Sequence, residues 1–93
     1  QLPINVETGT IPKTIEEQTT QSLNNIKSIL EAAGTSMDNV VKTTVLMTNL
    51  GDFTKMNEVY GTFFSGAYPA RAAYQVVALP KGAMVEIEAV ASK

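Results

Sequence analysis

Ninety-three residues make one domain rather than two, and a chain of this size buries roughly 60 to 65 % of its unfolded surface, enough for a thin core. The net charge is −2, and six lysines and one arginine are dispersed along the chain instead of forming a basic stripe, which argues against a nucleic-acid-binding surface. Histidine and cysteine are both absent, so imidazole bases, Ser-His-Asp triads, thiolate nucleophiles, disulfides and the usual nitrogen and sulfur metal ligands are excluded, and any chemistry must come from Arg, Lys, carboxylates, Tyr, hydroxyls or backbone groups.

The chain begins at Gln1 without methionine, and Leu2-Pro3-Ile4-Asn5-Val6 reads as the tail of a strand already under way, so a segment ahead of Gln1 is expected. No apolar stretch approaches the ~20 residues of a membrane span, and no signal peptide is visible. With cysteine absent, a reducing compartment, cytoplasmic or mitochondrial, is the expectation. Glu7-Thr8-Gly9-Thr10 has turn chemistry. Thr14 then offers an N-cap, with Glu17 completing a capping box, and Ile15, Thr19, Leu23, Ile26, Leu30 and Ala33 follow at helical spacing. Gly34 is the natural stop.

Val40 to Met47 is β-branched and too short for a good helix, so it reads as a strand. Asn49 to Asp52 makes a turn into a second helix whose face carries Phe53, Met56, Tyr60, Phe63 and Phe64; Ser65 to Pro69 ends it. Two further strands are predicted, Arg71 to Leu79 and Met84 to Ala91, joined by Pro80-Lys81-Gly82-Ala83 as a hairpin or tight connection. The resulting order of strand, helix, strand, helix, strand, strand implies an α+β sandwich, a mixed sheet with two helices on one face, in a single domain spanning residues 1–93.

Alternation in the last strand sets Val85, Ile87, Ala89 and Ala91 against the helices and leaves Met84, Glu86, Glu88 and Val90 on the other side. In the preceding strand both parities are largely apolar, which implies that both faces of the sheet are covered. Two helices cover only one, so a second subunit is expected on the other.

Arg71 is the only guanidinium of the chain, placed at the mouth of a strand after the loop segment Tyr68-Pro69-Ala70. Its planar fork matches a carboxylate or phosphate in bidentate fashion, as lysine does not; the ordinary fate of an arginine is nonetheless a solvated surface position or a weak ion pair. Glu86 and Glu88 are either solvated carboxylates or interface groups that need partners. Because the strands of Glu86 and Arg71 are joined by a short connection, the two are expected to flank one pocket. Asn57 shares a helical face with Phe53, Tyr60 and Phe64, where a core helix favours an apolar residue. Its amide serves either a neighbouring loop or the edge of a cleft. Tyr60, Tyr68 and Tyr74 read as packing residues, and Lys42 as a snorkelling side chain rather than a Schiff-base amine.

Three segments together resemble the RidA family of enamine/imine deaminases, also called the YjgF family. They are Asn39 to Val45, Asn57-Glu58-Val59-Tyr60, and Tyr68-Pro69-Ala70-Arg71 continuing through Leu79-Pro80-Lys81-Gly82 to Val85-Glu86-Ile87-Glu88-Ala89. The resemblance implies a fold like that of Bacillus-type chorismate mutase, in which three copies pack their sheets into a central barrel with clefts between neighbours. It implies hydrolysis of 2-imino acids such as 2-iminobutanoate and 2-iminopropanoate to 2-keto acids and ammonia, with no metal or organic cofactor. Carried onto this sequence, Arg71 holds the substrate carboxylate, backbone groups of Ala72 and Ala73 assist, Glu86 positions the attacking water, and Asn57 and Pro80 line the cleft. Departures from the family pattern are Ala73, where many members carry cysteine, and Val77, where a small or basic residue is commoner. A strand pair that precedes the residue matching Gln1 in the family, with a tyrosine and a serine of the cleft, has no counterpart in these 93 residues. Two other functions compete: a non-enzymatic protein that binds a small carboxylate and regulates a partner, and a ribonuclease or translation inhibitor. Retention of Arg71 with Glu86 leans toward catalysis, and the absence of histidine and of a basic stripe weakens the nuclease reading.

Overall fold

A computed structural model describes residues 1–93. The first helix, α1, runs from Ile15 to Ala32 with Thr14 as its N-cap. The Thr14 hydroxyl oxygen accepts from the Glu17 amide at 3.1 Å, the first half of the expected capping box, while the hydroxyl donates to the Glu17 carboxylate at 2.9 Å in place of the Thr14 backbone amide. At the other end Gly34 takes φ +83°. The amides of Gly34 and Thr35 return to the carbonyls of Glu31 and Leu30 at 3.1 and 2.9 Å, the paired closure that a left-handed residue permits.

Strand β1 spans Val40–Met47, helix α2 spans Phe53–Gly61, and strands β2 and β3 span Ala70–Gln75 and Val85–Ala91. The sheet order is β2-β1-β3, with β2 parallel and β3 antiparallel to the central β1. This is the expected mixed sheet with two helices. Of the hairpin or tight connection expected between the last two strands, the hairpin does not form. Pro80–Gly82 is a 3-10 turn on a connection that carries the chain from one side of β1 to the other. The strand expected to reach Leu79 also ends early. Val76 donates to the Met47 carbonyl at 2.8 Å as the last rung, β1 has no further residue to pair, and Val77 projects fully into solvent.

Two other expectations are corrected. Leu2 to Val6 is not a strand: only Gln1 pairs with the sheet, through the backbone of Ile87, and the Asn25 side chain of α1 then ties down the Leu2 and Ile4 carbonyls at 3.1 and 2.9 Å. Helix α2 stops at Gly61 rather than including Phe63 and Phe64, although Phe64 still reaches the core from the following turn.

Register assigns the two faces of the sheet. Thr43, Val45 and Met47 share a face with Arg71, Ala73 and Gln75 on β2 and with Ala89, Ile87 and Val85 on β3. This is the face the helices cover, and Val45, Met47, Val85 and Ile87 are all completely buried there beside Leu23 of α1 and Met56 of α2. The opposite face carries Lys42, Thr44 and Leu46 with Ala72, Tyr74, Glu86, Glu88 and Val90. No element of this chain covers it, and Tyr74 and Val90 are each 58 % exposed. Lys42 is exposed on that face.

Candidate functional site

Helical spacing brings Phe53, Asn57 and Tyr60 of α2 toward the start of β2, where the parallel pairing places Arg71 opposite Thr43 on the helix-covered side of the sheet. The Arg71 Nη1 donates to the Asn57 Oδ1 at 2.6 Å. The guanidinium lies 4.7 Å from the centre of the Tyr60 ring and 5.1 Å from that of Phe53, within reach of a cation–π attraction. Its hydrogen-bonded partner is a neutral amide. The positive charge is therefore held in place without being neutralised by that bond, and the remaining N–H groups of the fork are available to an anion.

Tyr60 is 3 % exposed, and its hydroxyl shares a 2.7 Å hydrogen bond with the hydroxyl of Thr43, itself 1 % exposed. The Tyr60 ring packs against Phe64 at 4.9 Å, and Phe64 meets Tyr68 edge-on at 6.5 Å. Together Asn57, Tyr60, Gly61, Tyr68, Pro69 and Arg71 line an open cavity of about 380 Å³, a size suited to a small organic ligand. Gly61 forms part of its wall; a Cβ there would stand 3.6 Å from the Tyr68 hydroxyl, so a larger side chain would take up space beside that ring. Arg71 is the one charged group in the lining.

Asn57 is thus brought to Arg71, at the edge of a cleft. Glu86 is not. It lies on β3, two strands from β2 and on the opposite face of the sheet, where its register partner is Leu46. Two strand spacings alone separate the backbones by roughly 10 Å. The short connection between their strands does not bring Arg71 and Glu86 into one pocket within a single chain. Glu86 instead borders a shallow depression with Gln1, Leu2, Ile4, Val6 and Asn25.

Ala72 follows Arg71 on the open face and Ala73 on the helix-covered face. Both belong to an edge strand, whose outer row of backbone N–H and C=O groups has no strand partner. Pro80 sits in the 3-10 turn and is not part of the Arg71 cavity. Tyr60 and Tyr68, expected only to pack, line the cavity, and Phe53, Gly61 and Thr43 join them at the site. The recurrence of Phe53, Asn57 and Tyr60 on one helical face is the visible signal for the aromatic cradle. Nothing local marks Thr43, because its role depends on which strand pairs with β2.

Fold and cavity define a small α+β domain with a single arginine, held by Asn57 and two aromatic rings, on the helix side of its mixed sheet. The family model described as endoribonuclease L-PSP matches residues 1–93. The chain is 57 % identical over 93 residues to RutC family protein y4sK of Sinorhizobium fredii, covering 74 % of that protein. It is 54 % identical over 81 residues to the mouse 2-iminobutanoate/2-iminopropanoate deaminase, of which it spans 60 %. The crystal structure of Escherichia coli TdcF with bound serine superimposes with a TM-score of 0.97 at 44 % identity, over the whole of this chain and 76 % of that one. The chain belongs to the endoribonuclease L-PSP family, that of the RidA, YjgF and RutC proteins.

Proposed function

We propose that this protein hydrolyses reactive 2-imino acids, 2-iminobutanoate and 2-iminopropanoate among them, to 2-keto acids and ammonia without a cofactor. The observation that carries the reading is the Arg71 guanidinium, fixed by Asn57 and two aromatic rings at the wall of a cavity of small-molecule size. A 2-imino acid presents a carboxylate to that fork and an electrophilic carbon beside it. Water adds to the C=N bond to give a carbinolamine, the C–N bond then breaks, and the nitrogen leaves as ammonia while the carbonyl forms. Fixed charge and orientation supply the rate enhancement. The deaminase name carried by the mouse relative supports the same chemistry.

Glu86 is assigned to the attacking water. Arg71 and Glu86 occupy opposite faces of one sheet, so a site that uses both takes them from two copies. We therefore place the reaction in clefts of a homotrimer whose open sheet faces are buried against one another as a central barrel, in a reducing compartment. Backbone groups of Ala72 and Ala73 on the open strand edge complete the substrate contacts. A carboxylate-binding regulatory role is the second reading, favoured by one observation: the lining of the cavity in a single chain holds a cation but no carboxylate.

The test is decay of 2-iminobutanoate generated by threonine dehydratase. The wild-type protein is expected to accelerate it, and Arg71→Lys, which keeps the charge but loses the planar fork, to lower kcat/KM by roughly 100-fold. Full activity in the lysine variant would remove the clamp. Carboxylate binding without acceleration would favour the regulatory reading.

A further inference from the structure

The Thr43–Tyr60 hydrogen bond is not required by the core that contains it. Both groups lie among apolar neighbours, and a valine and a phenylalanine of similar shape would fill the same space with no polar group to satisfy. What the bond does is local. The Tyr60 hydroxyl lies on the ring axis, so the 2.7 Å contact with Thr43 fixes the tip of the ring, and Phe64 at 4.9 Å restricts its rotation. The face held in this way is the one over which the Arg71 guanidinium sits at 4.7 Å. Thr43 is also the register partner of Arg71 across the β1–β2 pairing. A closed circuit results, from the Arg71 backbone through the sheet to Thr43, through the hydrogen bond to Tyr60, and from the ring back to the Arg71 charge.

We propose that Thr43 is a positioning residue: through Tyr60 it sets, from inside the core, the orientation in which Arg71 presents its free N–H groups to a carboxylate. The inference rests on the reading of Arg71 as the anion-holding group but not on the deaminase reaction. Asn57 anchors one nitrogen of the fork at 2.6 Å and leaves it free to pivot about that point. The ring supplies the second constraint, and Thr43 holds the ring. The binding geometry therefore depends on a residue that does not line the cavity.

Arg71 is the only arginine of the chain, so its side-chain 15Nε–1Hε signal is unique in an NMR spectrum. In the wild type it is expected to be shifted by the two rings and to be ordered. In Thr43→Val its order parameter should fall below about 0.6, and the Kd for 2-oxobutanoate should rise roughly tenfold, while backbone amides of β1 and α2 keep their positions. Thr43→Ser, which retains the hydroxyl, should restore both. A Thr43→Val protein with a lowered thermal midpoint but an unchanged Arg71 signal and unchanged affinity would overturn the proposal, leaving only a packing role. Should that variant fail to fold, Tyr60→Phe removes the same bond while keeping the ring; loss of Arg71 order supports the proposal and unchanged order overturns it. Wild-type protein that binds 2-oxobutanoate but does not deaminate sinks the enzymatic reading alone. Failure of the wild type to bind it sinks the carboxylate clamp, while the Arg71 signal still decides whether Thr43 positions the side chain.

Discussion

The two faces of one three-stranded sheet are finished to different degrees. On the helix-covered face, Val45, Met47, Val85 and Ile87 have no exposed surface, and the buried polar residue Thr43 has its hydroxyl paired. On the open face, Leu46 and Tyr74 lie beside Glu86 at one end and Val90 beside Lys42 at the other, with no cover from the chain itself. The cation belongs to the finished side and the carboxylate to the unfinished one. A rigid core is suited to hold a charge that must keep its orientation, whereas a group completed by a second copy belongs on the surface that the copy would cover. The single chain thus carries the two groups of the proposed composite site on opposite faces of one sheet.

The largest separation between the faces is expected from truncating a core side chain. Ile87→Ala should cost about 2 to 5 kcal/mol of unfolding free energy in urea titration, because the filled space around it has little room to collapse. A smaller loss would mean that the covered face is less tightly packed than its complete burial implies. Thr43→Val is next, at about 1 to 3 kcal/mol, since it leaves the Tyr60 hydroxyl buried and unpaired. Combined with Tyr60→Phe most of that loss should be recovered, and a double-mutant cycle in thermal unfolding measures the coupling. The smallest intrinsic effect belongs to the open face: Val90→Lys should change the stability of the chain itself by no more than about 0.5 kcal/mol. The same change should shift sedimentation at micromolar concentration toward the monomer, because it places a charge where copies are proposed to meet. Wild-type sedimentation in that variant would remove the open face from the interface.

Local signals were legible in the sequence to the residue. The Thr14 cap, the Gly34 stop and the bounds of β1 at Val40 and Met47 all follow from short-range chemistry. Pairing was not. The run from Val76 to Leu79 has strand composition, but its fate is decided by where β1 ends, thirty residues earlier in the chain by rough count and nowhere in its own alternation. The same missing information hid the neighbours of Arg71. Asn57 was recognisable as a polar residue on an apolar helical face, whereas Thr43 became a partner only once β2 aligned beside β1 in parallel register. The separation of Glu86 from Arg71 followed from strand order, to which the short Pro80–Gly82 connection gave a misleading clue.

The central position of β1 also bears on how the chain folds. Its two partners are both later in sequence, and the more distant, β3, pairs Val40 with Ala91. During synthesis β1 emerges complete but with both edges bare until β2 and β3 arrive. Helix α1 can form early from its own caps, yet its apolar face waits for Val85 and Ile87. Such long-range closure slows folding and leaves a β-branched segment open to pairing with other nascent chains.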